Sequence, residues 1–346
     1  MDVADPPESP DAPAGSPAGI LKVGYAFRES KALLSAAELG VFTALAGGAA
    51  PFDELATRIG IAPRGARDFF DALVALRLLD RDSAGRYHNT PETAHYLVRG
   101  KESYIGAELE FFNAQLYRRW NALTAALRTG RPPETAGAEG HYADRYADPG
   151  AALSFARAMT SATLPVATVL TAKFPWADYA TFADIGSAQG CLPVTIAAAH
   201  RHLTGIGFDL PPLHAVFDAY VQEHDLSGRV RFHPGDFLCD PLPRAEVLVL
   251  GRVLHNWDFA TKAMLLQKAY EALPPGGAII VYERLIDDER RFNATALLSS
   301  LNMLLMTAGG FDFSSADCIG WMHDAGFRNM RAEPITTDQT MIVGMK

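Results

Sequence analysis

Short apolar runs, most of them ending at or just before an acidic residue, recur through the C-terminal half of the chain. Glycines, prolines and apolar residues at helical spacing separate them. Strands buried on both faces read as continuous apolar runs, so this pattern predicts parallel strands alternating with helices. We therefore expect an α/β domain with a Rossmann-like doubly wound sheet, whose ligands lie above the carboxyl ends of the strands. The predicted strands lie at 182–184, before Asp209, at 230–233, at 247–250 and at 278–282.

The N-terminal part has a different pattern, which is helical. Residues 20–45 carry apolar side chains at helical spacing, and two shorter helices are expected at 52–59 and 64–79, with a small β-wing at 80–87. This order is typical of a winged helix-turn-helix. The first 18 residues hold proline, alanine, serine and acids without a basic or apolar leader segment, so we expect a disordered tail there.

A winged helix raises the possibility of a DNA-binding regulator. Its second helix would have to enter the major groove, yet its charges balance. The arginines at 64, 67 and 77 are matched by the aspartates at 68, 71 and 80. The whole chain carries a net charge of -9, which disfavours a nucleic-acid partner. A dimerisation domain is the preferred interpretation.

The turn after the first predicted strand narrows the choice of nucleotide. Gly186 and Gly190 allow a tight turn, and Asp209 ends the next strand, where a carboxylate can bind ribose hydroxyls. The dinucleotide pattern Gly-x-Gly-x-x-Gly and a Walker lysine are both missing. Asp184 would repel a phosphate but suits a cationic sulfonium with an amino-acid tail. Asp236 and Phe237 suit an adenine amine and an adenine face. The alternative is a tight turn that binds nothing.

Composition agrees with an ordinary two-domain globular protein in a reducing cytosol. The 346 residues suffice for two domains, and 49% of them are hydrophobic. Cys191, Cys239 and Cys318 have no paired spacing, and the sequence contains no run of eighteen apolar residues. We therefore expect neither disulfides nor a membrane span.

Several motifs in one order carry a family resemblance. They are Asp-Ile-Gly-Ser-x-x-Gly from Asp184, Asp-Leu-Pro from Asp209, Gly-Asp-Phe from Gly235, Arg-Val-Leu-His-Asn-Trp-Asp from Arg252, and Pro-Pro-Gly-Gly from Pro274. The series resembles S-adenosylmethionine-dependent O-methyltransferases of the caffeate/acetylserotonin type, including bacterial members that modify aromatic natural products. The likeness covers roughly residues 19–346. Ser187 and Ala188 replace glycines that are usual in the family's loop.

The resemblance implies a domain plan and a reaction. Residues 19–100 would form a winged-helix-like dimerisation domain, 101–175 a helical linker that lines the substrate site, and 176–346 the class I methyltransferase domain. The enzyme would transfer a methyl group from S-adenosylmethionine (SAM) to a hydroxyl of a small aromatic acceptor, leaving S-adenosylhomocysteine (SAH). It would act as a homodimer, without a metal, nucleic acid or membrane.

Catalytic residues follow from the same resemblance. His255 is the expected general base, and Glu283 and Asp312 are the expected assisting acids. Asp312 lies in Gly-Gly-Phe-Asp-Phe-Ser, where the family usually has Gly-Gly-Lys-Glu-Arg-Thr, and it could instead be the N-terminal acid of a helix. A phenol and an ordinary histidine differ by roughly 3.5 pK units, about 5 kcal/mol, so assistance is expected.

Binding residues complete the prediction. The expected cofactor-binding residues are Asp184, Gly186, Gly190, Asp209, Leu210, Asp236, Phe237 and Arg252. The expected substrate-lining residues are Phe155, Met159, Asn256, Asn302, Met303 and Met306. Ordinary core packing explains Phe155 and the leucine- and methionine-rich segment 297–306 equally well. Relatives of this fold that hydroxylate, decarboxylate or cyclise remain an alternative. The acceptor is open between naphthoates, anthracyclines, phenazines and simple phenols.

Overall fold

A computed structural model describes residues 16–101, 103–133, 146 and 148–346 of the chain. The disordered tail expected at 1–18 lies almost wholly outside the described residues. By its internal contacts the chain divides into two compact units, Met1–Tyr104 and Ile105–Lys346.

The first unit is helical with one small hairpin. The helix expected at 20–45 is interrupted, because Gly40 adopts a left-handed conformation (φ 71°) between α1 and α2. The helix expected at 64–79 is shorter than predicted, since Gly65 (φ 83°) is non-helical near its start and Leu79 opens a strand. The elements are α1 (Ala18–Glu38), α2 (Val41–Ala44), α3 (Phe52–Ile59), α4 (Pro63–Ala75), β1 (Leu79–Arg81), β2 (Tyr87–Asn89) and α5 (Pro91–Tyr96).

The second unit opens with helices. They are α6 (Gly106–Phe111), a π-helical turn (Phe112–Leu116), α7 (Tyr117–Arg119), a 3-10 turn (Trp120–Ala122), α8 (Leu123–Thr129) and α9 (Pro149–Lys173). Helix α9 is, among the described helices, the one long and apolar enough to cross a membrane; 44% of its most apolar window is buried in the protein. It packs against α6 and against the helix Cys191–Ala199, which is typical of a core helix.

A seven-stranded sheet follows, with strand order β5-β4-β3-β6-β7-β9-β8. Strands β3 to β7 are parallel, and β9 runs antiparallel to both β7 and β8. The strands are β3 (Thr181–Ile185), β4 (Thr204–Asp209), β5 (Val230–Pro234), β6 (Val247–Gly251), β7 (Ala278–Glu283), β8 (Arg328–Pro334) and β9 (Thr340–Met345). The doubly wound sheet is confirmed, whereas β8 and β9 were not predicted.

Helices cover both faces of this sheet. They are α9, α10 (Cys191–Ala199), α11 (His214–Glu223), α12 (Phe259–Ala272) and α14 (Ser315–Asp324), whereas α13 (Ala294–Met306) packs against α8. Successive side chains of a strand point to opposite faces. Accordingly, Leu248 and Leu250 pack towards α12 and α14, while Val247 and Val249 pack towards α9 and α10. The order of strands reverses between β3 and β6, and ligands of open α/β sheets bind at such a point.

Candidate active site

A cavity of about 1070 Å³, which includes space open to solvent, lies at the carboxyl ends of β3, β4 and β6. Of the eight predicted cofactor residues, seven line it; Gly190 does not. Residues that the sequence analysis did not assign to binding also line it, among them Tyr146, Thr160, Thr163, Ser187, Ala188, Gln189, Trp257 and Tyr282. The predicted cofactor residues therefore converge on one cavity within the second unit.

The glycine turn fits closely against its surroundings. Gly186 has φ 80°, and a Cβ there would lie 2.9 Å from Val253 Cγ2. Ala188 is also left-handed (φ 47°), although alanine rarely adopts this conformation. Its backbone N–H donates to Asp209 Oδ2 at 2.7 Å, which holds the turn over the carboxylate. Gln189 Oε1 accepts a hydrogen bond from Thr160 of α9 at 3.1 Å. The loop thus keeps its turn without the expected glycines.

Two buried carboxylates face this turn. Asp209 accepts hydrogen bonds from the backbone of Ala188 and of Leu210, the latter at 2.8 Å. Burial outweighs these bonds and raises the pKa of Asp209 to about 6. Burial, together with the charge of Asp209, raises the pKa of Asp184 to about 8. A cationic ligand would relieve this cost, because it stabilises the ionised carboxylates.

Arg252 contributes a further hydrogen-bond donor to the wall of the cavity. It follows β6 with φ 55°, and its Nη1 is buried without a hydrogen-bond partner within the described residues. The nearby Ser187 Oγ is likewise buried and unpaired in the part of the chain described. Buried polar groups are normally satisfied, so these two atoms indicate a polar ligand. Buried acids, a left-handed turn and unpaired donors fit a nucleoside with a cationic amino-acid tail.

His255 lies in a 3-10 turn (Leu254–Asn256) that follows β6. Its Nδ1 is 2.8 Å from Glu283 Oε2 and 3.5 Å from Asp312 Oδ1. Its backbone N–H donates to Glu283 Oε1 at 3.3 Å. All three side chains are buried, at 8%, 1% and 2% exposure respectively. The structure therefore brings the three predicted catalytic residues into contact.

The electrostatics of this cluster differ from those of an ordinary histidine. Burial alone lowers the pKa of His255, but the charges of Glu283 and Asp312 and their hydrogen bonding outweigh it and raise the pKa to about 9. The helix-terminal alternative for Asp312 does not hold. Ser314 is the N-cap of α14 and forms a capping box with Asp317. Asp312 instead turns its carboxylate to His255.

The same three side chains are a possible metal-binding group among the described residues, with ligand atoms within 4.8 Å of one another. Nδ1 of His255 already faces Glu283 as an ion pair, and the ammonium of Lys262 interacts electrostatically with both acids. A second cation would be repelled by that ammonium. We interpret the cluster as a charged catalytic group, and the absence of a metal requirement stays a prediction.

The predicted substrate residues divide into two groups. Phe155, Met159 and Asn256 line the cavity, and the Asn256 amide donates to the carbonyls of Arg252 and Val253. Asn302, Met303 and Met306 of α13 are not among the lining residues, and Met303 is buried. Their role in binding an acceptor stays a prediction.

Lys262 is the main residue of this region that the sequence analysis missed. It is fully buried in α12, and burial lowers its pKa to about 8. The sequence contains a signal for the burial of this lysine. At helical spacing Lys262 lies on the same face of α12 as Leu265, Leu266 and Ala269, which all face the core.

Comparison with known proteins identifies this arrangement. Residues 120–328 match the O-methyltransferase domain family, and residues 21–99 match the O-methyltransferase dimerisation domain. The chain belongs to the O-methyltransferase family. The resemblance inferred from the motifs is confirmed, and the DNA-binding and non-methylating alternatives are not supported. The protein is a SAM-dependent O-methyltransferase.

Individual relatives match over nearly the whole chain. The tetracenomycin polyketide synthesis 8-O-methyl transferase TcmO of Streptomyces glaucescens is 42% identical over 95% of this chain and 97% of its own. The N,N-dimethyltransferase OxyT of Streptomyces rimosus is 38% identical over 94% and 95%. The crystal structure of human N-acetylserotonin methyltransferase in complex with SAM superimposes with a TM-score of 0.88 at 27% identity, covering 97% of this chain and 99% of that one.

Proposed function

We propose that this enzyme methylates a phenolic hydroxyl of a polycyclic aromatic acceptor, with His255 as general base. The observation that carries the proposal is the buried imidazole held against two carboxylates, next to Asn256 and Trp257 in the cavity wall. The apolar cavity residues Phe155 and Met159 suit an aromatic acceptor. The similarity to TcmO supports a polyketide-type acceptor.

The carboxylates make His255 a stronger base. With its pKa raised to about 9, His255 comes within about one pH unit of an ordinary phenol, equivalent to about 1.4 kcal/mol. An ordinary imidazole at this position would leave a gap of about 5 kcal/mol. Glu283 and Asp312 therefore assist chiefly by stabilising the imidazolium that forms when the acceptor loses its proton.

A base of this strength favours a hydroxyl acceptor over an amine. A neutral amine attacks through its lone pair and releases its proton afterwards, whereas a phenol becomes a strong nucleophile when its proton leaves. Hydroxyl and amine acceptors both have to be considered, because the relative OxyT is named as an N,N-dimethyltransferase. In this chain the buried Glu283 and Asp312 beside Nδ1 point to the hydroxyl.

The residues that would hold SAM are those of the cavity. SAM supplies a methyl group on a positively charged sulfur. We assign Asp209 to the ribose hydroxyls, Asp236 and Phe237 to the adenine, and the turn beside Asp184 to the cationic end. Holding the acceptor oxygen in line with the methyl carbon contributes on the order of 7–11 kcal/mol through orientation.

We also propose a homodimer in the cytoplasm. Ile20, Val23 and Phe27 form an apolar stripe on α1, and their side chains are 80%, 78% and 56% exposed. An exposed stripe at this spacing suits a helical partner surface, and it falls at the start of the dimerisation domain. The free cysteines Cys191, Cys239 and Cys318 agree with a reducing compartment.

Substitution of the base tests the proposed function. His255→Ala should lower kcat by about 10²–10⁴-fold on a hydroxynaphthoate acceptor, the usual contribution of a general base. SAH affinity, measured by calorimetry, should stay within about twofold, because the cavity residues assigned to SAM do not include His255. His323→Ala is the matched control, since its side chain is 76% exposed on α14. A His255→Ala enzyme as fast as wild type would refute the base assignment.

A further inference from the structure

Lys262 is a fully buried cation beside the catalytic cluster. It lies on the core-facing side of α12, at 0% exposure. Burying an ammonium is costly unless nearby groups compensate its charge. The groups that surround Lys262 therefore indicate the role of its charge.

The ammonium contacts the segments on both sides of His255. Nζ donates to the backbone carbonyl of Trp257 at 2.5 Å, two residues beyond His255. It also lies 3.3 Å from the ring centroid of Phe311 and 5.5 Å from that of Phe313. Aromatic faces attract cations at such distances. The two rings flank Asp312 in sequence, so the lysine holds the loop that presents this carboxylate.

Charge balance gives the lysine a second role. The carboxylates whose charges act on Lys262 are Glu283 of β7, Asp312 of the loop and Asp258 at the start of α12; Cys318 of α14 also lies close, as a thiol that burial keeps neutral by raising its pKa. His255 faces Glu283 and Asp312. Glu283 and Asp312 carry two negative charges, and the imidazolium of His255 balances only one of them. The ammonium of Lys262 balances the other. Without it, both carboxylates would act on the imidazolium unopposed.

We propose that Lys262 is a positioning residue for the base: it clamps the Phe311–Asp312–Phe313 loop against the segment after His255, and its charge limits how strongly the two carboxylates hold the proton on the imidazole. The proposal rests on the proposed function of His255. It predicts that the lysine keeps a carboxylate-bound histidine able to lose its proton in each catalytic cycle.

Direct titration of His255 tests this. The full-length enzyme, labelled with 13C at histidine Cε1 and saturated with SAH, is titrated by NMR, and the His255 signal is assigned by its loss in His255→Ala. Lys262→Gln removes the charge but keeps a donor for the Trp257 carbonyl. Lys262→Arg keeps a positive charge throughout the titration, including above the pKa of Lys262 itself, which burial lowers to about 8. We expect the His255 pKa to be about one unit higher in Lys262→Gln than in Lys262→Arg, a tenfold difference in proton affinity.

The control is a lysine with the same kinds of contact elsewhere. Lys346 donates to the carbonyls of Tyr270 and Leu273 and lies 4.7 Å from the Tyr270 ring, near the opposite end of β7. Lys346→Gln should leave the His255 titration unchanged. SAH affinity reports folding, and Lys262→Met replaces the glutamine variant if that variant no longer binds SAH.

Two results would overturn the proposal. One is a lower His255 pKa in Lys262→Gln than in Lys262→Arg. The other is the same His255 pKa in both folded variants, since any shift from wild type would then come from packing and not from charge. Neither outcome touches the base assignment, which fails separately if His255→Ala keeps its methylation rate.

Discussion

The charge of Glu283 can be removed with little change of shape by Glu283→Gln. In the wild type the pKa of His255 stands at about 9, against an ordinary value of 6.5. At about 1.4 kcal/mol for each pH unit, the surroundings stabilise the imidazolium by about 3.5 kcal/mol. Glu283 is the nearer carboxylate, at 2.8 Å from Nδ1, and its charge is the largest influence that raises the pKa. Its removal should bring the pKa down to near 7.

The consequence for the rate depends on pH. The base must be neutral to accept a proton, so the wild-type rate should rise up to about pH 9, and the variant rate should level off near pH 7. Between pH 7 and pH 9.5 the ratio of variant to wild-type kcat should therefore fall by about 40-fold, from the change in the neutral fraction of His255. A loss of orientation would lower both ends of the profile equally and leave this ratio unaffected.

The assay is kcat at saturating SAM and hydroxynaphthoate from pH 6 to pH 10. Glu271→Gln provides a matched loss of a carboxylate, because Glu271 is an exposed residue of α12 bonded to Gln267. A variant-to-wild-type ratio that stays constant across the range would refute the electrostatic reasoning. It would mean that Glu283 only holds the histidine in place through the backbone N–H of His255.

Three further predictions concern the cofactor, the metal and the assembly. The affinity for SAM should increase as the pH rises from 6 to 8, and the affinity for SAH should increase less. The reason is that the pKa values of Asp209 and Asp184 are raised, so a bound cation displaces protons from these carboxyl groups. The same pH dependence for both ligands in calorimetry would contradict this. EDTA should leave kcat unchanged. A loss of activity in EDTA that an added divalent ion restores would contradict this prediction. The double variant Ile20→Asp with Val23→Asp should be monomeric by light scattering with the same SAH affinity, whereas a persisting dimer would place the interface elsewhere.

Most of the sheet could be predicted where burial leaves a plain trace in the sequence, although the buried strand β9 was also missed. Strands β3, β6 and β7 are buried on both faces, and their apolar runs predicted them to within about a residue. Strand β8 was missed because it is largely exposed and carries Arg328, Arg331 and Glu333, so it has no apolar run. Helix α12 begins at Phe259 because Asp258 caps it, and a single capping residue does not by itself mark a helix start. Local capping and edge position are weak signals in a single sequence.

Topology accounts for the site residues that end or follow strands, whereas Phe155, Met159 and Asp312 were predicted from the family resemblance. Asp209, Arg252 and Glu283 end or follow strands of one sheet edge, so topology alone brings them together. The contact of Asp312 with His255 depends on a loop 57 residues downstream, and the place of Lys262 depends on rings from that loop. The raised pKa of His255 follows from these tertiary contacts. Composition and spacing could not supply it.

The two pairs of buried acids give the proposed reaction a common electrostatic logic. Asp184 and Asp209 face the cavity end where a cationic ligand would lie, and Glu283 and Asp312 face His255. When a hydroxyl is methylated and its proton passes to His255, the site loses a positive charge at the first pair and gains one at the second. Each location already holds carboxylates, so the protein need not reorganise to solvate the moving charge. Such a site should favour acceptors that carry no net charge at the reacting hydroxyl. An acceptor ionised before binding would gain little from His255, so its rate should show little of the pH dependence expected of a neutral phenol.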